Sequence, residues 1–173
     1  MQKFIVMIAT VIMLGACSST DIQNITGSPG ATLDPHQGVY VTVPSAPTEG
    51  DNPTVGQYIA TAVASHFSKS GVTAWIADSP SSFTGNLTAA RQRGAGYMVV
   101  PVLTNWAHNA TQWSSNPSTF GLRIGIVNVV TGQQIRVDSI TSESSHISFL
   151  GTDPKELLND ALDDYLELLY PEK

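Results

Sequence analysis

The chain has one cysteine, Cys17, and little charge, since Asp, Glu, Lys and Arg make up 13% of its 173 residues. A lone cysteine excludes an internal disulfide and a zinc site built from several thiolates. Lys and Arg number eight against fourteen Asp and Glu, which gives a net charge of −6. Such a chain lacks the basic surface that nucleic-acid binding requires, so no nucleic-acid partner is predicted.

The sequence patterns of common catalytic sites are also missing. No serine lies in a Gly-x-Ser-x-Gly nucleophile elbow, and no His-Glu-x-x-His motif is present. The histidines are dispersed along the chain: His36, His66, His108 and His146. The sequence therefore predicts no catalytic residues, no metal, no cofactor and no enzymatic activity.

Two segments resemble ligand-binding motifs but lack the residues that such motifs require. Residues 91–96 combine two arginines with two glycines, but they lack Gly-Lys-Ser/Thr and precede a strand, so a phosphate loop is not predicted. Arg91 and Arg93 fit the exposed end of a helix, where cations are favoured. Four acidic residues near the C-terminus lie outside any calcium-loop motif and indicate a solvated helix face: Asp160, Asp163, Asp164 and Glu167.

The N-terminus explains the single cysteine. Lys3 precedes an apolar or small run over residues 4–16, which ends in Leu14-Gly15-Ala16-Cys17. This layout is typical of a secretory signal peptide over residues 1–16, and the run is shorter than the roughly 20 residues that span a membrane. The four residues resemble the bacterial lipobox, in which the cysteine is acylated before cleavage. The alternative is an ordinary signal peptide with an unmodified cysteine.

The lipobox resemblance implies a palmitate-type lipid anchor at Cys17 and membrane attachment through it. Two or more acyl chains, at about 0.8 kcal/mol per buried CH₂, anchor a protein stably. In Gram-negative lipoproteins, Asp after the cysteine is the usual signal for inner-membrane retention, and this chain has Ser18. The resemblance therefore implies a place in the cell outer membrane, facing the periplasm. Removal of residues 1–16, which include Lys3, leaves 157 residues with a net charge of −7.

Residues 17–36 are rich in Ser, Thr, Asn, Gly and Pro and predict a flexible tether. A single domain is predicted over residues 37–173, long enough to bury a core. Strands are predicted at residues 38–43, 72–77, 97–103, 120–126 and 133–141, and helices at residues 54–71, 84–92 and from Asp153 onward. The order β-α-β-α-β-β-β-α favours an α/β (α+β) fold with helices packed on a five-stranded mixed sheet.

Two elements have the clearest signatures. Residues 97–103 are almost continuously apolar, which is typical of a strand buried on both faces. The last helix begins with Asp153 as cap and Pro154 at its first position. Its apolar face is predicted to comprise Leu157, Leu158, Ala161, Leu162, Tyr165, Leu168 and Leu169.

The segment 105–115 is the best candidate for binding. It is predicted as a loop after the central strand, where α/β sheets favour ligands. Its candidate residues combine two large aromatic surfaces with hydrogen-bonding groups, suited to a protein or a glycan partner of the envelope: Trp106, His108, Asn109, Thr111, Gln112 and Trp113. The alternative is that both tryptophans cover the end of the sheet as part of the core.

The chain resembles domain-of-unknown-function family 4823, a group of bacterial lipoproteins, over nearly all of residues 38–170. The resemblance lies in residues 97–113, 144–145, 151–154 and 165–170 and in Leu157-Leu158. In the family the loop reads Trp-Glu-Asp-Arg-Ala-Thr-Glu-Trp-Ser, whereas this chain has uncharged residues or His108 at the charged positions. The family resemblance implies a fold and a lipoprotein, and it implies no activity. By analogy, the order of strands and helices is similar to that of the N-terminal domain of TolB.

These observations predict an outer-membrane lipoprotein that acts as a non-enzymatic interaction or accessory module of the cell envelope. The alternative is a periplasmic glycan-acting or hydrolytic enzyme with its site around Trp106 to Trp113. A third interpretation is a subunit of an envelope assembly that uses an exposed sheet edge.

Overall fold

The computed structural model describes residues 19–44, 54–107, 117–144 and 153–171. Within these ranges, six strands and three helices form one mixed α/β domain, so the predicted fold class is confirmed with one strand more than expected. In chain order the elements are β1 (Ser19–Gly27), β2 (Val39–Val41), α1 (Thr54–Lys69), β3 (Ala74–Ile76), α2 (Phe83–Arg93), β4 (Tyr97–Ala107), β5 (Thr119–Asn128), β6 (Gln134–Glu143) and α3 (Pro154–Leu169).

The strands lie side by side in the order β1-β6-β5-β4-β2-β3. β2 is parallel to both of its neighbours, β3 and β4, and the other pairs are antiparallel. The connections β2-α1-β3 and β3-α2-β4 cross the sheet in opposite directions, so right-handed crossovers place α1 and α2 on opposite faces. α1 packs beside α3, which covers β5 and β6.

The extra strand corrects the predicted tether over residues 17–36. Ser19–Gly27 pairs antiparallel with β6 from Ser19 opposite Glu143 to Gly27 opposite Arg136. Exposed and half-buried residues alternate from Ser19 to Ile25, as in a strand with one covered face, and the last residues of β1 are exposed. Its composition looked disordered because the inward positions include polar Thr20 and Asn24, which meet polar groups of β6 rather than an apolar core.

The segment after β1 is also packed against the domain. Leu33 is buried, and its backbone N–H donates to the carbonyl of Leu169 at 3.1 Å. The carbonyl of Ala31 accepts a hydrogen bond from Arg136 Nη1 at 2.9 Å. Residues in the second half of the predicted tether therefore contact both β6 and the end of α3.

The main core lies between the sheet and the α1/α3 layer. β5 contributes Phe120, Leu122, Ile124 and Ile126, all fully buried. α3 buries Pro154, Leu157, Leu158, Ala161, Leu162, Tyr165, Leu166 and Leu169. The predicted apolar face of α3 is correct except at Leu168, which is 50% exposed, because the buried stripe passes through Leu166 instead.

β4 differs from its prediction in two ways. It continues to Ala107, so Asn105 and Trp106 belong to the strand rather than to a loop. Its first residues are buried on both faces, but Val102 is 47% exposed, because α2 packs on β2 and β4 and leaves this part of the outer face uncovered. None of the helices in the described ranges is long and apolar enough to cross a membrane.

Candidate functional site

Trp106 lies where the end of β4 meets the first turns of α1 and α3. Its half-buried ring packs edge-on against Tyr58 of α1, with ring centroids 6.4 Å apart and planes at 70°. Lys155 of α3 places Nζ 5.1 Å from the centroid of the Tyr58 ring, within the range of a cation–π contact. These three residues are called the Trp106 cluster below.

Trp106 packs against the core and is partly exposed. It joins the edge of the core, as the alternative interpretation expected for the tryptophans, but part of its ring surface is still accessible. The other predicted binding residues lie outside the described residues: His108, Asn109, Thr111, Gln112 and Trp113. The predicted lipidation site, Cys17, also lies outside them. The binding prediction for this segment therefore stays a prediction.

A groove of about 260 Å³ opens on the other face of the sheet, beside the start of α2. Phe83 and Val102 stand at its rim, exposed by 52% and 47%. Its lining residues are Thr42, Val43, Pro44, Ser81, Phe83, Asn86, Met98, Val100, Pro101 and Val102. None of these ten side chains titrates in the physiological range, so the groove offers apolar contact and hydrogen bonds but no acid–base chemistry.

The sequence analysis missed this groove. Phe83 opens α2 directly after Ser82, whose side chain caps the helix by accepting a hydrogen bond from the backbone N–H of Gly85 at 3.1 Å. The sequence did contain one signal for the groove. α2 has few large apolar residues, and one of them is an aromatic residue in its first turn, Phe83. α2 is capped at its C-terminal end by Gly94, whose φ of 72° is left-handed. Arg91 lies at the exposed end of the helix, as predicted, and its Nε also donates a hydrogen bond to the carbonyl of Val129 at 3.0 Å.

The strongest polar cluster of the described residues is buried under α3. Arg136 and Asp138 of β6, exposed by 3% and 0%, form a paired contact with Nε–Oδ2 at 2.7 Å and Nη2–Oδ1 at 2.9 Å. Asp138 also accepts hydrogen bonds from Tyr165 Oη at 2.8 Å and Asn24 Nδ2 at 2.8 Å. The two oxygens of Asp138 thus accept four hydrogen bonds, which occupy all of their lone pairs. No lone pair is left to accept a proton from a substrate, which indicates a structural role.

The protonation of this cluster follows from its surroundings. Burial raises the pKa of the Tyr165 hydroxyl well above its ordinary value, and the neighbouring Asp138 charge adds to the effect. Burial by itself would lower the pKa of Arg136, but its hydrogen bonds and charge attraction to Asp138 outweigh it and raise that pKa. Tyr165 therefore keeps the proton that it donates to Asp138. Sequence spacing indicated neither the contact of Tyr165 with Asp138 nor that of Arg136 with Asp138.

His66 joins α1 to α3. It is 3% exposed, with Nδ1 2.8 Å from the carbonyl oxygen of Ala62 and Nε2 3.3 Å from Oδ1 of exposed Asp163. Asp163 was predicted to be simply solvated, and its proximity to His66 refines that prediction. Across the ranges that the structure covers, no group of three or more His, Cys, Asp or Glu side chains is placed to hold a metal ion.

The family model for a domain of unknown function, DUF4823, matches residues 31–169. The chain belongs to the DUF4823 family. The resemblance expected from the sequence is thereby confirmed. No curated protein matches the chain.

Solved structures show the same fold in distant proteins. The DUF4823 chain is similar to the PelC dodecamer from Paraburkholderia phytofirmans, with a TM-score of 0.69, 15% identity, and coverage of 90% of this chain and 100% of that one. A single-substitution variant of the same PelC dodecamer matches with a TM-score of 0.67, 15% identity, and coverage of 86% and 98%. Lipoprotein GNA1162 from Neisseria meningitidis matches more weakly, with a TM-score of 0.45, 13% identity, and coverage of 78% and 99%.

Proposed function

We propose that this DUF4823 chain is a lipid-anchored, non-enzymatic interaction module of the cell envelope, held in the outer membrane through Cys17 and facing the periplasm. The observation that carries this proposal is Leu14-Gly15-Ala16-Cys17, which places the only cysteine where lipobox processing requires it. Cys17 stands directly before the domain, whose first strand begins at Ser19. A binding role is favoured because the groove beside Phe83 presents apolar surface without titratable groups.

The anchoring part is tested by Cys17→Ser in cells labelled with a palmitate analogue. Loss of the label and of membrane extraction is expected, because the acyl acceptor is gone. Ser18→Asp is the matched sorting variant: it should keep the label and move the protein to the inner membrane. An unchanged label in Cys17→Ser contradicts acylation. Native protein that fractionates with the inner membrane contradicts sorting to the outer membrane, and an unchanged location of Ser18→Asp contradicts the role of position 18 in that sorting.

The interaction part is tested by placing a photo-crosslinking amino acid in the groove, at Phe83 or Val102. Val130 is the matched control, because it is an exposed apolar residue (82%) that does not line the groove. A defined crosslink to an envelope protein is expected from the groove positions and not from Val130. Equal yields from the three positions would contradict a specific interaction at the groove.

The enzymatic alternative requires a different result. A glycan-acting enzyme with its site around Trp106 would normally use two carboxylates. The two other members of the Trp106 cluster, Tyr58 and Lys155, are not carboxylates. Incubation with isolated peptidoglycan should therefore release no soluble fragments. Fragment release that disappears in a Trp113→Phe variant would overturn the non-enzymatic proposal in favour of the enzyme.

Self-assembly is a second candidate function. The fold resembles that of PelC, which is described as a dodecamer, and within the described residues β1 pairs on one side only, with β6. An edge strand of this kind can pair with a second copy. Sedimentation of the detergent-extracted protein should show an oligomer that Ile25→Lys, on exposed β1, dissociates and the control Val130→Lys does not. A monomer at all concentrations would refute self-assembly.

A further inference from the structure

The distance between Cys17 and the domain is short. β1 begins at Ser19, so only Ser18 separates the acylation site from the sheet. Two residues span at most about 7 Å even when fully extended. An acyl group on Cys17 would therefore hold the start of β1 close to the membrane surface, rather than let the domain move freely on a long tether.

The sheet register shows what else lies at this end. Ser19 is opposite Glu143 of β6, Glu143 is also opposite Thr119 of β5, and Thr119 is opposite Ala107 of β4. With neighbouring strands about 4.8 Å apart, Ala107 is roughly 14 Å across the sheet from Ser19. These four residues define the anchor end of the sheet, and Trp106 precedes Ala107 there.

The Trp106 cluster gives the anchor end the side chains of a membrane interface. Trp and Tyr are enriched at headgroup depth because each ring combines apolar surface with one polar group. Trp106 and Tyr58 are half-buried, and exposed Lys155 carries a positive charge beside them. A lysine stem can lie along the aromatic surface while its ammonium group stays in water.

We propose that the anchor end lies on the lipid surface, with the Trp106 cluster at headgroup depth and the strands directed away from the membrane. This orientation rests on the proposed acylation of Cys17. The opposite half of the sheet contains Trp75, which is opposite Tyr40, and Tyr40 is opposite Met98. Met98 precedes Trp106 by eight residues on β4, which is about 26 Å at 3.3 Å per residue.

The two tryptophans therefore provide an internal comparison of depth. In one variant, Trp75→Phe and Trp113→Phe leave Trp106 as the only tryptophan. In the matched variant, Trp106→Phe and Trp113→Phe leave Trp75. Each acylated protein is reconstituted into phosphatidylcholine vesicles whose lipids carry bromine near the headgroup, and quenching is compared with vesicles of unbrominated lipid. We expect several-fold stronger quenching of Trp106 than of Trp75.

Flotation of the vesicles separates this proposal from the one on which it rests. Protein that does not float with the vesicles lacks the anchor, which contradicts the proposed function. Protein that floats but shows equal quenching of both tryptophans, or stronger quenching of Trp75, overturns the orientation and leaves the anchor intact. Circular dichroism of the two variants checks that each retains the fold, and equal spectra are expected because Trp→Phe keeps an aromatic ring.

A linker variant tests the role of the short connection. Inserting 20 Gly and Ser residues between Ser18 and Ser19 adds a flexible segment with a typical end-to-end distance of about 25 Å. The domain would then leave the interface for most of the time, so quenching of Trp106 should fall toward that of Trp75. Unchanged quenching of Trp106 would overturn the argument that one intervening residue holds the anchor end at the membrane.

Discussion

Replacing Asp138 by Ala would remove the centre of the buried cluster that joins β1, β6 and α3. The carboxylate is fully buried and accepts bonds from Arg136, Tyr165 and Asn24. In the variant, Arg136 would be a buried cation whose described partner is the carbonyl of Ala31, and the Tyr165 hydroxyl would lose its acceptor. Removing one partner of a buried ion pair typically costs about 3–5 kcal/mol, and we expect a loss of that size.

The assay is urea denaturation followed by tryptophan fluorescence and by circular dichroism. The midpoint should fall while the dependence on urea concentration stays unchanged, since the folded state loses free energy but exposes similar surface on unfolding. Tyr165→Phe is the milder matched variant. It removes one hydrogen bond to a charged group, so about 1.5–3 kcal/mol is expected.

A combined replacement separates the cost of an unpaired charge from the value of the cluster. Arg136→Met with Asp138→Leu removes both charges and fills the same space with apolar side chains. Such replacements are often neutral or stabilising by about 1–4 kcal/mol, so the pair should be more stable than Asp138→Ala alone. Two results would refute the reasoning: Asp138→Ala lowers the free energy of unfolding by less than about 1 kcal/mol, or the double variant is less stable than Asp138→Ala.

Three further predictions concern α3, alkaline stability and the segment after β4. Leu158→Ala with Leu162→Ala should lower the free energy of unfolding by at least about 4 kcal/mol, since each buried leucine is worth about 2–5 kcal/mol; a melting temperature unchanged within error would mean that α3 is not docked. Burial raises the pKa of Tyr170 above its ordinary value of 10.0, so above that pH the unfolded chain releases a proton that the folded chain retains, and stability should fall as pH rises. Tyr170→Phe should reduce this alkaline slope in denaturation curves, and an identical slope would contradict the assignment. His108→Ala with Gln112→Ala is expected to weaken capture of an envelope partner. Stability should change by less than about 0.5 kcal/mol if both side chains are at the surface, as the sequence predicts; full capture by the variant would show that these two residues do not bind the partner.

Helices and central strands could be predicted from the sequence because their signals are local. The four-residue recurrence of apolar side chains in α1, the Asp153 cap of α3 and the alternation along β5 each depend on neighbours within one or two turns. Gly132, with φ of 71°, likewise marks the turn between β5 and β6 by its own conformational freedom. Such features are independent of where the rest of the chain packs, so the α/β order followed from them.

β1 shows what only the tertiary structure decided. Its polar residues predicted disorder, yet Asn24 reaches Asp138, 114 residues away, and a strand is stable there because β6 supplies both the backbone partners and the buried polar face. Arg136 and Asp138 resemble ordinary exposed charges until α3 covers them with Tyr165. The anchor end and the groove arise in the same way, since register between distant strands determines which side chains become neighbours. The sequence determined the local elements and the lipobox resemblance, whereas packing determined which polar residues are buried and which aromatic residues lie beside the proposed anchor, because burial depends on the surface that remote segments cover.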